Sequence, residues 1–193
     1  MGTETSLTQP LIDEFVAAAH GDFDKVRLLL SEHPGLLNEN ASWQERAVEA
    51  ASQTGRVDIV EYLLAAGAPM DICTAVMLGD LSAVKRMLAA DPRLISAKGA
   101  HGLPLLYFAA IRGHEEIASF LFERGAKVNA GSGGNTALHG AVIFGQAGIV
   151  TWLLANGADP AALDYNGKTP LQLAEENKLV EISALIRHAR RED

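Results

Sequence analysis

The chain of 193 residues carries a single cysteine, Cys73. One thiol excludes an intramolecular disulfide framework and points to a reducing, cytoplasmic setting. Basic residues are also scarce: 16 Lys and Arg stand against 24 Asp and Glu, a formal net charge of −8. A surface that neutralises nucleic-acid phosphates needs clustered Lys and Arg. The one basic cluster, Arg187-His188-Ala189-Arg190-Arg191, is followed by Glu192 and Asp193. It reads as a helix end with cations near its negative pole, and no nucleic-acid partner is expected. No apolar run reaches membrane-spanning length. Met1 to Pro10 lack the basic and hydrophobic regions of a signal peptide. No membrane partner is expected either.

Reactive constellations are missing too. Cys73 has Ile72, Thr74 and Ala75 for neighbours, and Asp71 has the wrong sign to activate a thiol. It reads as packing, the usual place of a free cysteine. His20, His33, His101, His114 and His188 show no short ligand spacing, which argues against zinc. Asp22-Phe23-Asp24 and Glu115-Glu116 read as early-turn carboxylates that complement a helix dipole, not as an acid/base pair. Gly131-Ser132-Gly133-Gly134 follows no strand and precedes no Gly-Lys-Ser/Thr, so it fails as a phosphate loop and reads as a hairpin tip. No catalytic residue, metal or cofactor is expected, and the chain is not expected to be an enzyme.

What is abundant is repetition. Asn135-Thr136-Ala137-Leu138-His139-Gly140-Ala141-Val142 has worn copies in Lys168-Thr169-Pro170-Leu171-Gln172-Leu173-Ala174 and Leu103-Pro104-Leu105-Leu106-Tyr107-Phe108-Ala109-Ala110. A threonine hydroxyl caps the free amides of a first turn, and proline at the first helical position has no amide to lose. Gly21, Gly55, Gly79, Gly113 and Gly145 follow at spacings of 34, 24, 34 and 32 residues. After each comes an apolar stripe at helical spacing, such as Val57…Val60…Leu63-Leu64 and Ile149-Val150…Leu153-Leu154. Gly67-Ala68, Gly125-Ala126 and Gly157-Ala158 then end the second helix of a pair.

These motifs and their period resemble the T-P-L-H-x-A-A signature and the roughly 33-residue repeat of ankyrin proteins. The resemblance covers almost the whole chain. It implies an all-α solenoid, one domain over 1–193. About six helix-turn-helix repeats would occupy 8–40, 41–69, 70–98, 99–130, 131–163 and 164–193. Short β-hairpin fingers are expected near Asn40–Glu45, Ala97–Leu103, Ala130–Asn135 and Leu163–Lys168. None is expected between repeats two and three, where Gly67-Ala68-Pro69-Met70 leads almost directly into Asp71, the expected cap of the next helix. Repeat six departs from the pattern: Glu175 stands where alanine is usual, and Asn177-Lys178 replaces the glycine. A polar outer face suits a last repeat on which nothing stacks, and no further domain is expected after Ile182…Leu185-Ile186.

The resemblance also implies a role. Ankyrin partners meet the fingertips and the exposed end of each first helix, and the motif histidine, here His139, ties neighbouring loops together. The candidate partner-binding residues are therefore Trp43, Met77, Leu78, His101, Leu103, Ile111, Arg112, Asn135, Ile143, Phe144, Tyr165 and Lys168. Ser132 adds a further fingertip. A solvent-facing row of Met77, Leu78, Ile111, Ile143 and Phe144 would form an apolar interaction patch, and its aromatic and Arg members suit hot spots. In the competing reading some of these, above all Met77 and Leu78, turn inward. Trp152 reads as convex-side packing. The expected function is a non-catalytic, monomeric module that binds an unidentified protein or peptide offering an apolar anchor and basic character. Two other classes are an inhibitor or immunity-type protein blocking a toxin or enzyme through the same groove, and an enzyme built on this scaffold.

Overall fold

Each glycine-punctuated stretch folds as a pair of helices. The computed structural model describes residues 7–131 and 133–189; Met1–Ser6, the fingertip Ser132 and residues 190–193 of the basic cluster lie outside the described residues. The pairs are α1 (Gln9–Ala18) with α2 (Phe23–Glu32), α3 (Ala47–Gln53) with α4 (Val57–Ala65), and α5 (Ile72–Leu78) with α6 (Leu81–Ala90). There follow α7 (Leu105–Ala110) with α8 (Glu115–Glu123), α9 (Ala137–Ile143) with α10 (Ala147–Ala155), and α11 (Pro170–Glu176) with α12 (Val180–Ala189). The protein is an all-α solenoid, and among the described residues it has no strand.

The helix starts follow their sequence signals. The Thr136 and Thr169 hydroxyls accept from the amides of His139 and Gln172, and Gln172 Oε1 in turn accepts from the Thr169 amide over 2.8 Å. Asp22, Asp71 and Asp80 cap α2, α5 and α6 in the same way. Thr8 precedes α1 without a side-chain cap bond. The turns after α3, α5, α7 and α9 place Gly55, Gly79, Gly113 and Gly145 at φ between 66° and 82°, where a Cβ is strained. In repeat six Lys178 takes that conformation at φ 57°.

The first helices α1, α3, α5, α7, α9 and α11 contact one another in order, and each is backed by its own second helix. The inner ones are buried nearly all round: Ile72 to Met77 of α5, all six residues of α7, and Ala137 to Val142 of α9. A helix apolar on every side belongs in an interior. Two of the short exits after second helices, Pro34–Asn38 and Pro92–Ser96, are 3-10 turns begun by proline, and Leu36 turns back into the core.

The loops where the sequence predicts β-hairpins are turns held by a few backbone bonds. Ala41 N donates to Glu45 O (2.8 Å), Gly99 N to Leu103 O (3.0 Å) and Asp164 N to Lys168 O (2.9 Å). Only Lys98 and Pro104 form a β-bridge among the described residues. Between α4 and α5 the chain runs from Ala66 to Asp71. The turn Ala100–Gly102 of repeat four lies against α3 of repeat two.

Candidate recognition groove

The first-helix face of the array curls. A Cβ built on Gly55 of repeat two would lie 3.4 Å from Arg112 Cδ, 3.6 Å from Phe144 Cε1 and 3.7 Å from Ile111 Cδ1. Repeats two, four and five therefore meet across what would otherwise be an open groove. This corrects part of the predicted surface. Met77 and Ile111 are fully buried and Leu103 is 7% exposed, so all three belong to the core. α5 and α7 each pack between two neighbouring first helices and their own second helix, and Ile111 also faces Gly55 of repeat two. Leu78 and Phe144 are half-buried against the core, while Ile143 and Arg112 stay exposed.

Beside this closure lies a cavity of about 540 Å³. It is lined by Gln53 and Thr54 from the end of α3, His101 and Leu103 from one loop, Tyr107 from α7, Gly134 and Asn135 from the next loop, and Tyr165 from the last. Four of the twelve predicted residues thus converge here: His101, Leu103, Asn135 and Tyr165. The others do not line it. Tyr165 is 72% exposed at the rim. Tyr107 is buried and edge-on to Phe108, with ring centroids 5.7 Å apart. Burial first, and Tyr165 nearby second, push the Tyr107 phenol up to about 12, so it remains a neutral hydroxyl. The Asn135 Oδ1 is buried and has no hydrogen-bond partner. A buried acceptor without a donor is costly, and it adds to a lining that Leu103 and the tyrosines make apolar in part and Gln53, Thr54 and His101 make polar. A depression of about 600 Å³ lies between α10, the loop Gly157 to Pro160 and α12, and collects none of the candidate residues.

Lys168 is tied outside the cavity, its Nζ 2.6 Å from Glu176 Oε2. That bond, ahead of the charge of Glu176, raises the Lys168 pKa. Trp43 is 41% exposed, and its indole donates to Glu45 Oε2 over 2.7 Å. Gln53 and Thr54 lie at the end of α3, the part of a first helix that the resemblance offers to a partner, whereas Tyr107 sits inside α7 and has no such signal in the repeat pattern.

The two groups weighed for chemistry are both occupied structurally. Burial, ahead of Asp71 and Glu49, drives the Cys73 thiol far up and keeps it protonated. His139 is buried, its Nδ1 2.8 Å from Thr136 Oγ1 and its Nε2 3.2 Å from Lys168 O. Both ring nitrogens are engaged, and the side chain joins two successive loops. Burial lowers its pKa, against smaller opposing effects of backbone bonds and Asp164.

Comparison with known proteins adds the following. Residues 72–164 match the family described as ankyrin repeats in three copies, and residues 48–75 match a single ankyrin repeat. An ankyrin repeat protein of Pyrobaculum aerophilum is 39% identical over 84 residues, covering 44% of this chain and 32% of its own. The E3 ubiquitin-protein ligase Ufd4 of Drosophila melanogaster is 43% identical over 75 residues, 39% of this chain and 3% of the ligase. The ankyrin repeat protein YahD of Escherichia coli is 29% identical over 191 residues, 90% of this chain and 94% of YahD. The chain therefore spans a third or less of the first two relatives and nearly all of the third. No helix among the described residues is long and apolar enough to cross a membrane.

Proposed function

Because the chain belongs to the ankyrin repeat family, whose repeats are general protein–protein interaction modules, we propose that it captures one anchor side chain of a protein or peptide in the cavity beside Tyr165. The observation that carries this reading is the pairing of apolar wall and unmet acceptor. Leu103 and Tyr107 supply the wall, Tyr165 the rim, and Asn135 Oδ1 waits for a donor. An anchor with an apolar body and an N–H head satisfies both, and Arg, Lys and Trp have that shape. The net charge of −8 favours a basic partner. Ile143, Arg112 and the exposed edge of Phe144 extend the contact along the first-helix ends. The module works as a monomer and without chemistry of its own, and its buried thiol suits a reducing cytoplasm.

A random peptide library panned against the protein tests this. Selected peptides are expected to carry a basic or Trp anchor and to lose about tenfold or more in affinity with Tyr165→Ala or Asn135→Leu, the behaviour of a hot spot. Affinities unchanged by both substitutions would place recognition elsewhere.

A further inference from the structure

Beside the proposed anchor cavity, which shares His101 with them, three side chains distant in sequence meet at the edge of the groove. His20 follows α1, Glu45 closes the loop before α3, and His101 tops the loop before α7. One ligand atom from each lies within 4.8 Å of the other two, and this is the one such trio among the described residues. His20 Nε2 and His101 Nε2 each stand 3.6 Å from Glu45 Oε2. Two imidazole nitrogens and one carboxylate are a zinc donor set, with bonds of about 2.0–2.2 Å and a fourth place left for water. Ligands so bound in a tetrahedron stand roughly 3.4 Å apart by geometry. Two sides of the triangle are already within a few tenths of an ångström of that spacing.

Further details point to a cation. The Glu45 side chain is 1% exposed, and among the described residues its ion partners are the two histidines, with no Lys or Arg. A buried carboxylate without a positive partner is costly. The outer contacts already hold the ligands in place. Trp43 Nε1 donates to Glu45 Oε2 and Gln53 Nε2 to Glu45 Oε1, each over 2.7 Å. His20 Nδ1 is 3.3 Å from Ala17 O. Donation there leaves Nε2 unprotonated with a lone pair to offer, and a backbone carbonyl on the other ring nitrogen is how metal-binding histidines are commonly oriented. In the metal-free state Gln53 Nε2, 2.8 Å away, donates to that lone pair; it keeps its bond to Glu45 when a metal takes its place. The backbone is bent to the same end. Among the described residues three non-glycine residues have positive φ, and two of them are His101 (55°) and Gln44 (64°), the latter next to Glu45. Such conformations persist where surrounding structure demands them.

We propose that His20, Glu45 and His101 bind a single Zn²⁺ ion, which clasps repeats one, two and four and keeps an open coordination position for water. The site follows from the short third repeat. With only Ala66 to Asp71 between α4 and α5, no loop stands between the loop of repeat two and that of repeat four, and His101 can reach Glu45.

The test uses the tag-free chain stripped with EDTA and titrated with ZnCl₂ in a calorimeter. Saturable one-to-one binding is expected, with a rise in the thermal midpoint. His101→Gln, at a side chain 56% exposed, should fold normally and lower the affinity by at least the roughly 10-fold that weaker outer-shell changes produce. His20→Gln should do the same, which guards against a folding defect in either variant. In a Trp152→Phe background, Co²⁺ should quench Trp43 fluorescence, and His101→Gln should remove the quenching. Two results would overturn the proposal: no saturable binding by the wild-type chain, or one-to-one binding equally tight in both histidine variants.

Discussion

Leu138 and Tyr165 mark the two extremes of residue environment. Leu138 is 1% exposed between repeats, and Leu138→Ala should cost roughly 2–5 kcal/mol in a denaturant titration. Tyr165 is 72% exposed, and Tyr165→Ala should stay within about 0.5 kcal/mol. Fold and recognition are therefore separable at this position: the tyrosine variant should keep its unfolding midpoint while losing peptide affinity. His139 makes a pH-dependent contribution. Its folded pKa is lowered from 6.5, so the unfolded chain binds the proton more readily. That stability is fully present above pH ~6.5 and is lost as pH falls below it. Gln172, at the matching place in repeat six, shows that glutamine can close the same capping box. The urea midpoint of His139→Gln should therefore fall less than that of wild type between about pH 7.5 and 5.5. Equal acid losses in the two proteins would assign the pH dependence to other groups.

At the scale of the element, Gly140 decides how closely α7 and α9 approach. Glycine inside a helix normally weakens it by about 0.8–1.0 kcal/mol relative to alanine, so propensity alone favours Gly140→Ala. A Cβ there would lie 2.7 Å from the Tyr107 ring and 3.0 Å from Ile111 Cγ2, both buried and closely packed. Overpacking of this kind costs about 1–3 kcal/mol, and it should win. Gly140→Ala should lower the thermal midpoint although it improves the helix. Gly99, in the loop before α7, lies so close against the Phe108 ring that a Cβ there would overlap it.

At the scale of the molecule, an ideal repeat array is a sum of nearest-neighbour interfaces. This one departs from that limit, because repeats two, four and five meet at Gly55, Ile111, Arg112 and Phe144. The sequence pattern places Phe144 in the open, where its loss would matter little. Half-buried against Gly55, it should instead cost about 1–2 kcal/mol as Phe144→Ala, between the values for exposed and for core side chains. The same substitution should loosen contacts between non-adjacent repeats. Hydrogen exchange is expected to rise in α3 as well as in α9, and an effect confined to α9 and its neighbours would show that the repeats are coupled only in series.

Helix order, the caps Asp71, Thr136 and Thr169, the turn glycines and the family were legible in the chain, whereas Thr8, which the pattern offers as the cap of α1, makes no side-chain cap bond. Each legible feature depends on interactions within about 33 residues, and the repeat states them several times. Asp71 as a cap, His139 as a tie between loops and the short third repeat needed no coordinates. The front face of the array was not legible. Met77 and Ile111 occupy the positions that face solvent in an open groove, and they are buried because small offsets between successive repeats add up to a curl. The same curl, with the missing loop of repeat three, brings His20, Glu45 and His101 within reach although no ligand spacing links them in sequence. Local rules act through the bonded neighbourhood and can be read along the chain. Curvature is the accumulated product of every interface, and only the folded molecule expresses it.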